Sequence, residues 1–181
     1  MNRAQAKEAI DQIMILLPKV QAWIDSYINA NSHLAIPVAD LNFQRLPKYF
    51  STERLRNSKA VNVDNIQMPP LSLMGFTNFS DYENMKFIGI TYKDTFFLAP
   101  EAHNCESTHF HEMVHIIQWD TLGPERFLFV YAIYLIYSDY NNSPLERMAY
   151  ELQEMFNKGS HILELEKMIK KETLSISRAL G

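Results

Sequence analysis

The chain has 181 residues, 47% of them hydrophobic and 21% charged, and carries a net charge of −4. That is enough chain for one domain with a proper core, residues 1–181, and the scattered Lys and Arg residues exclude the basic footprint of a nucleic-acid-binding surface. A single cysteine, Cys105, rules out an intrachain disulfide and fits a reducing, cytoplasmic location.

In chain order, Ala6, Ile10, Ile13, Met14 and Leu17 recur at spacings of three and four, which predicts a helix over 3–17 ending at Pro18. A second helix is expected from Val20 to Ala30. The apolar run from Ile13 to Leu17 is too short for a signal h-region. From about 36 to 100 the texture becomes that of short strands. Leu41 to Leu46 and Ala60 to Val63 alternate, and Pro37, Pro47 and Pro69-Pro70 punctuate the region. Lys86 to Tyr92 and Thr95 to Leu98 flank Lys93-Asp94 as a β-hairpin or one bent strand.

After residue 105 the pattern is helical again. Ser107 or Thr108 is a candidate cap for a helix running to Trp119 or Asp120, and Leu122-Gly123-Pro124 breaks it. Pro124 suits the first position of a helix reaching about Tyr140. The stretch Phe127 to Tyr137 is apolar throughout but too short to span a bilayer, so membrane insertion is not expected. Ser143 and Pro144 open a third helix, Gly159 closes it, and His161 to Ile176 forms a fourth. Helices, a small sheet and then a helical half make an α+β chain.

The segment His111-Glu112-Met113-Val114-His115 carries the chemistry. Positions i and i+4 of a helix share a face, so both imidazoles converge on one ion, and Glu112 projects beside it. Zinc suits such imidazole ligands and lowers the pKa of its bound water. A carboxylate at Glu112 is then placed to act as general base. Apolar Met113, Val114, Ile116 and Ile117 bury the helix.

A catalytic zinc takes three protein ligands and leaves one position open. Gln118 and Thr121 stand where HExxHxxGxxH would carry its Gly and third His, so the third ligand lies elsewhere. Asp120, Asp139, Glu146, Glu151 and His161 are candidates. Glu146 is preferred because it opens a new helix just after a turn, and small Ala149 lets that helix approach the metal helix closely.

An HExxH helix followed by a later Pro144-Leu145-Glu146-Arg147-Met148-Ala149 resembles the gluzincin metallopeptidases, the thermolysin-like clan, and small bacterial HExxH proteins with a Pro-x-Glu-x-x-Ala segment. The resemblance covers roughly residues 86 to 157. It implies a zincin-like fold, with His111, His115 and Glu146 as zinc ligands and Glu112 as the base of a peptidase. Two places differ. Tyr150 stands where thermolysin-like enzymes carry a supporting Asp, and the interval from His115 to Glu146 is longer than in thermolysin. In zincin-like folds the edge strand beside the metal helix pairs with an extended peptide, which gives that role to Phe87–Tyr92 or Thr95–Leu98.

Other groups complete the expectation. Tyr134, Tyr150 and Arg147 are candidate donors to a developing oxyanion, and Gln118 and Asp120 are candidates to orient a ligand imidazole. Tyr131, Tyr134, Tyr137 and Tyr140 recur at threes and read as core packing with hydroxyls at the edge. His109 points away from the metal face as a helix-start or surface residue. Cys105 is an isolated thiol or a cap on the zinc. The leading function is a zinc-dependent peptidase acting on a peptide or protein substrate. The rivals are a zincin-fold binding or regulatory protein that holds zinc without activity, and an interaction domain without metal.

Overall fold

Helix α1 runs unbroken from Arg3 to Asn31, through Pro18, where the sequence pattern predicts a stop. Pro18 removes one hydrogen bond to the carbonyl of Met14 and costs about 3 kcal/mol inside a helix. Both residues lie on the exposed face, where water reaches the freed carbonyl. The buried stripe Ile13, Leu17, Val20, Ile24 and Tyr27 continues across the proline. Burying one such side chain contributes roughly 1.5–3 kcal/mol, so two anchored halves outweigh the defect.

The computed structural model describes residues 3–75, 83–138 and 143–180. After α1 come β1 (Ile36–Pro37), α2 (Thr52–Asn57), β2 (Lys59–Asn62) and α3 (Leu71–Met74). The hairpin β3 (Gly89–Tyr92) and β4 (Thr95–Leu98) follows, turning at Lys93-Asp94, which decides between the hairpin and the single bent strand that the sequence left open. Then come α4 (Glu106–Leu122), α5 (Pro124–Ser138), α6 (Pro144–Asn157) and α7 (Leu165–Arg178). Among the described residues this is an α+β arrangement of seven α-helices and one small mixed sheet.

The sheet order is β1-β2-β4-β3, with β2 parallel to β4 and the other two pairs antiparallel. Interior β4 is buried at all four residues, as a strand covered on both faces must be. The terminal strands are β1 and β3, and β3 packs on α4. Of the two segments expected to offer an edge, only the one containing β3 does so.

Leu41 to Leu46 is not extended. It holds a short 3₁₀ turn, Val38–Leu41, then Asn42 in the left-handed region at φ 59°, and a second 3₁₀ turn begins at Leu46 with Pro47 inside it. The Glu106 carboxylate accepts from the backbone N–H of Arg45 at 2.7 Å and of Leu46 at 2.9 Å. Those donors are satisfied without a strand partner.

Helix α4 is buried at every residue from Thr108 to Trp119. It packs on β3, α5, α6 and α7, which makes it the axis of the helical half. Its cap residue is Cys105, with no side-chain cap, rather than Ser107 or Thr108. Gly123 at φ 73° closes it, its N–H donating to the Trp119 carbonyl. Ser143 occupies the cap position of α6, yet its hydroxyl makes no capping bond. Helix α7 begins at Leu165 instead of His161, after Glu164 in a left-handed conformation. One core links residues of α1, the sheet and α4 to α7.

Candidate metal centre

His111 and His115 lie one turn apart on α4, and α6 brings Glu146 to face them. The two Nε2 atoms are 3.0 Å apart, and Glu146 Oε2 lies 3.6 Å from that of His111 and 3.5 Å from that of His115. Three ligands at zinc distances around a tetrahedral ion stand about 3.3 Å from one another. All three residues are between 2% and 6% exposed. They are the one group of three or more metal-capable side chains among the described residues whose ligand atoms converge. Ala149 is fully buried between α6 and its neighbours, as the close approach of α4 and α6 requires.

Hydrogen bonds around the triad decide which ring nitrogens carry protons. The Gln153 amide nitrogen donates to the Ser107 carbonyl at 3.2 Å and hydroxyl at 3.0 Å, so its oxygen faces His111 Nδ1 at 3.2 Å. The Gln118 amide nitrogen donates to the Leu145 carbonyl, turning its oxygen to His115 Nδ1 at 2.9 Å. Both Nδ1 atoms are therefore donors, and both Nε2 atoms present lone pairs inward. Glu146 Oε1 accepts from the Tyr131 hydroxyl at 2.7 Å, while the inward Oε2 is buried without a hydrogen bond and faces only the two imidazoles. Two lone pairs and a carboxylate oxygen around one point demand a cation.

A proton fills that demand when no metal does. Burial alone would lower the His115 pKa, but the Glu146 carboxylate, aided by Glu112 and Gln118, pushes it up to about 9. Burial would raise Glu146, yet His115 and His111 hold it well below the usual carboxylate range. Because the folded pKa of His115 exceeds its ordinary value of 6.5, its stabilising contribution is fully present below about pH 6.5. That contribution fades as pH rises through about 9. Zinc uptake at about pH 7.5 should release a proton, measurable by calorimetry in buffers of different ionisation heat. Uptake without proton release would contradict this arrangement.

Glu112 sits between the triad and β3. Its Oε2 accepts from the Thr91 hydroxyl at 2.7 Å, and burial raises its pKa above the ordinary carboxylate value. Its Oε1 occupies space that a side chain at position 89 would fill, since a Cβ on Gly89 would stand 2.3 Å from it. Gly89→Ala should displace the carboxylate and lower turnover at least tenfold with zinc content unchanged. Unaltered turnover would mean that Glu112 does not act from this position.

The remaining expected residues separate cleanly. Gln118 orients His115. Asp120 does not reach the site. It is exposed and pairs with Arg54 at 2.9 Å, because it falls on the outer face of α4. Arg147 pairs with Glu151 on the surface, so neither joins the centre. Tyr134 donates to the Ile176 carbonyl on α7 at 3.4 Å, away from the metal ligands. Tyr150 does adjoin the site: 47% exposed, its ring lies 4.6 Å from that of His111. His161 is exposed, and Asp139, Tyr140 and the side chain of Tyr137 lie outside the described residues. His109 points away from the triad but is buried, not superficial. Its Nδ1 meets the Cys105 carbonyl and its ring packs on Phe43 and Phe96. Exposed Cys105 is not one of the converging ligands.

Four contributors escaped the sequence reading: Gly89, Thr91, Gln153 and the role of Tyr131. Gln153 is seven residues after Glu146, two turns along the same face, and that spacing was a usable signal. Thr91 and Gly89 gave none, because strand register decides what faces Glu112. Gln153→Leu should weaken zinc binding about 10- to 100-fold while the fold survives. Unchanged affinity in a metal titration would remove Gln153 from the site.

A cavity of about 120 Å³ opens beside the triad, reached by His111, Glu112, His115 and Glu146 and otherwise walled by α1, α5, β3 and the segment before α3. No family model matches this chain, and neither a curated protein nor a solved structure matches it.

Proposed function

We propose that this chain is a zinc-dependent hydrolase of the gluzincin type that cleaves amide bonds in a peptide or peptide-like substrate. The observation that carries this reading is the placement of Glu112. A purely structural metal site has no use for a buried carboxylate held beside the ligands by Thr91 and given room by Gly89. His111, His115 and Glu146 would hold the zinc, with Gln153, Gln118 and Tyr131 fixing their orientation. Three protein ligands leave the fourth position for water or substrate.

Zinc bound there would supply a Lewis acid that polarises a carbonyl and acidifies water. Glu112, its pKa raised by burial, takes the proton from the attacking water. It then delivers that proton to the departing nitrogen, so that the C–N bond is exchanged for C–O and an acid and an amine result. Tyr150, at the rim over His111, is the best placed of the three expected oxyanion donors. The terminal strand β3, antiparallel to β4 and packed on the metal helix, supports a zincin-like reading and offers the edge for an extended substrate. The lone Cys105 supports a cytoplasmic setting.

The test is metal analysis of the purified chain combined with a screen of quenched fluorescent peptides and acylated amides. One zinc per chain and chelator-sensitive cleavage are expected. Stoichiometric zinc with no cleavage would make the chain a zinc-holding binding protein. Absence of zinc would remove the metal reading altogether.

A further inference from the structure

We infer that the amide cleaved at this centre carries a long alkyl chain, and that this chain lies in the cavity between α1 and α5. The inference rests on the zinc-hydrolase reading and narrows its substrate.

The cavity has two unlike ends. Its charged lining consists of the three metal ligands and Glu112, with Thr91, Tyr92 and Tyr131 beside them, and no Lys, Arg or Asp lines it among the described residues. Away from that end the walls are hydrocarbon. Along α1 they are Ile13, Leu17, Val20 and Ile24, a single stripe whose ends stand about 16 Å apart at helical rise. Facing them on α5 are Leu128, Ala132 and Leu135, at the same helical spacing, while Met68, Pro69 and Leu71 close another side. The α1 residues of this stripe are all buried.

That shape selects against a peptide running into the cavity. Beyond β3, each peptide unit would bring an N–H and a C=O against the hydrocarbon side chains of α1 and α5, which offer them no partner. Water has the same difficulty, and apolar cavities of this kind hold apolar molecules. An alkyl chain has no polar group to strand. Each methylene moved from water into such walls is worth about fourfold in affinity. A polar, hydrolysable head at the triad and an alkyl chain along α1 match the cavity end for end.

The test titrates the zinc-loaded full chain with straight-chain hydroxamic acids, from acetohydroxamic to dodecanohydroxamic acid, by calorimetry. Affinity should climb several-fold per added methylene and then level off where the cavity ends. Ala132→Phe should bring the plateau to shorter chains without changing zinc content or acetohydroxamate binding. Should that variant not fold, the chain-length series on the unaltered protein decides alone. In parallel, 1-decanol, which has no metal-binding head, is titrated into the metal-free chain and is expected to bind. If decanol binds and no hydroxamate does, the metal reading fails and the alkyl cavity stands. A flat hydroxamate series with zinc bound overturns the inference and leaves the metal centre intact. So does tighter binding of a dipeptide hydroxamate than of the decanoyl compound.

Discussion

Glu112→Gln should retain one zinc per chain and lose turnover by about 100- to 10,000-fold, the usual range for a general acid–base group. The substitution keeps the side chain's volume and its acceptor oxygen for the Thr91 hydroxyl, 2.7 Å away in the parent. It removes the one thing the mechanism needs, an oxygen that takes up a proton and releases it. Because Glu112 is not one of the three converging ligands, metal content should not move. The pair of readouts is what makes the result informative. Loss of zinc would show that Glu112 holds the metal, and surviving turnover would show that the proton travels by another route. Burial raises the Glu112 pKa, so the acid limb of the parent's pH profile should lie above that of an ordinary carboxylate and vanish in the variant.

Glu146→Ala should have the largest effect on metal binding, and the consequences extend to stability. Zinc supplied at about a thousand times its dissociation constant stabilises a protein by about 4 kcal/mol. The variant should forfeit that increment, so that its melting temperature no longer rises when zinc is added. Without metal it should also be weaker than the parent by about 1–3 kcal/mol. The Tyr131 hydroxyl loses its bond to the Glu146 carboxylate, and His115 loses the carboxylate that supports its proton. Thermal melts with and without zinc separate the two contributions. A variant that binds zinc as tightly as the parent would mean that Glu146 is a neighbour of the site and not a ligand.

These two substitutions probe residues of different legibility. His111, Glu112 and His115 were readable because their geometry is local. A spacing of four on a helix places two imidazoles on one face whatever the rest of the chain does. The helix itself was equally local, ended by Gly123 with Pro124 opening the next. Glu146 was one of five candidates by residue type. Choosing it needed a judgement about how a helix 30 residues downstream returns to the site, and α6 packed on α4 is what answers it. The same return places Gln153 against His111, and it leaves Arg147 facing solvent and Glu151.

Where local rules failed, a long-range contact won. Pro18 should end a helix, but α1 is held on both sides of it by buried side chains. Leu41 to Leu46 alternates like a strand, yet Glu106, some sixty residues on, takes the backbone donors of Arg45 and Leu46. Tyr131 and Tyr134 belong to one apolar helix and look alike in sequence. Packing sends one hydroxyl to Glu146 and the other to the Ile176 carbonyl.

The sequence by itself determined the helical motif, the extended character of the two segments flanking Lys93-Asp94, and the placing of His111 and His115 on one face of a helix. Those features depend on residue type and on spacings within a few turns. Only the tertiary structure decided the third converging group, the tautomers set by Gln118 and Gln153, and the room that Gly89 leaves for Glu112. It also decided that the site faces an apolar cavity between α1 and α5, helices separated in the chain by the whole sheet and by α4. Each of these depends on how buried surfaces from distant segments close over one another, and no local pattern of residues records that.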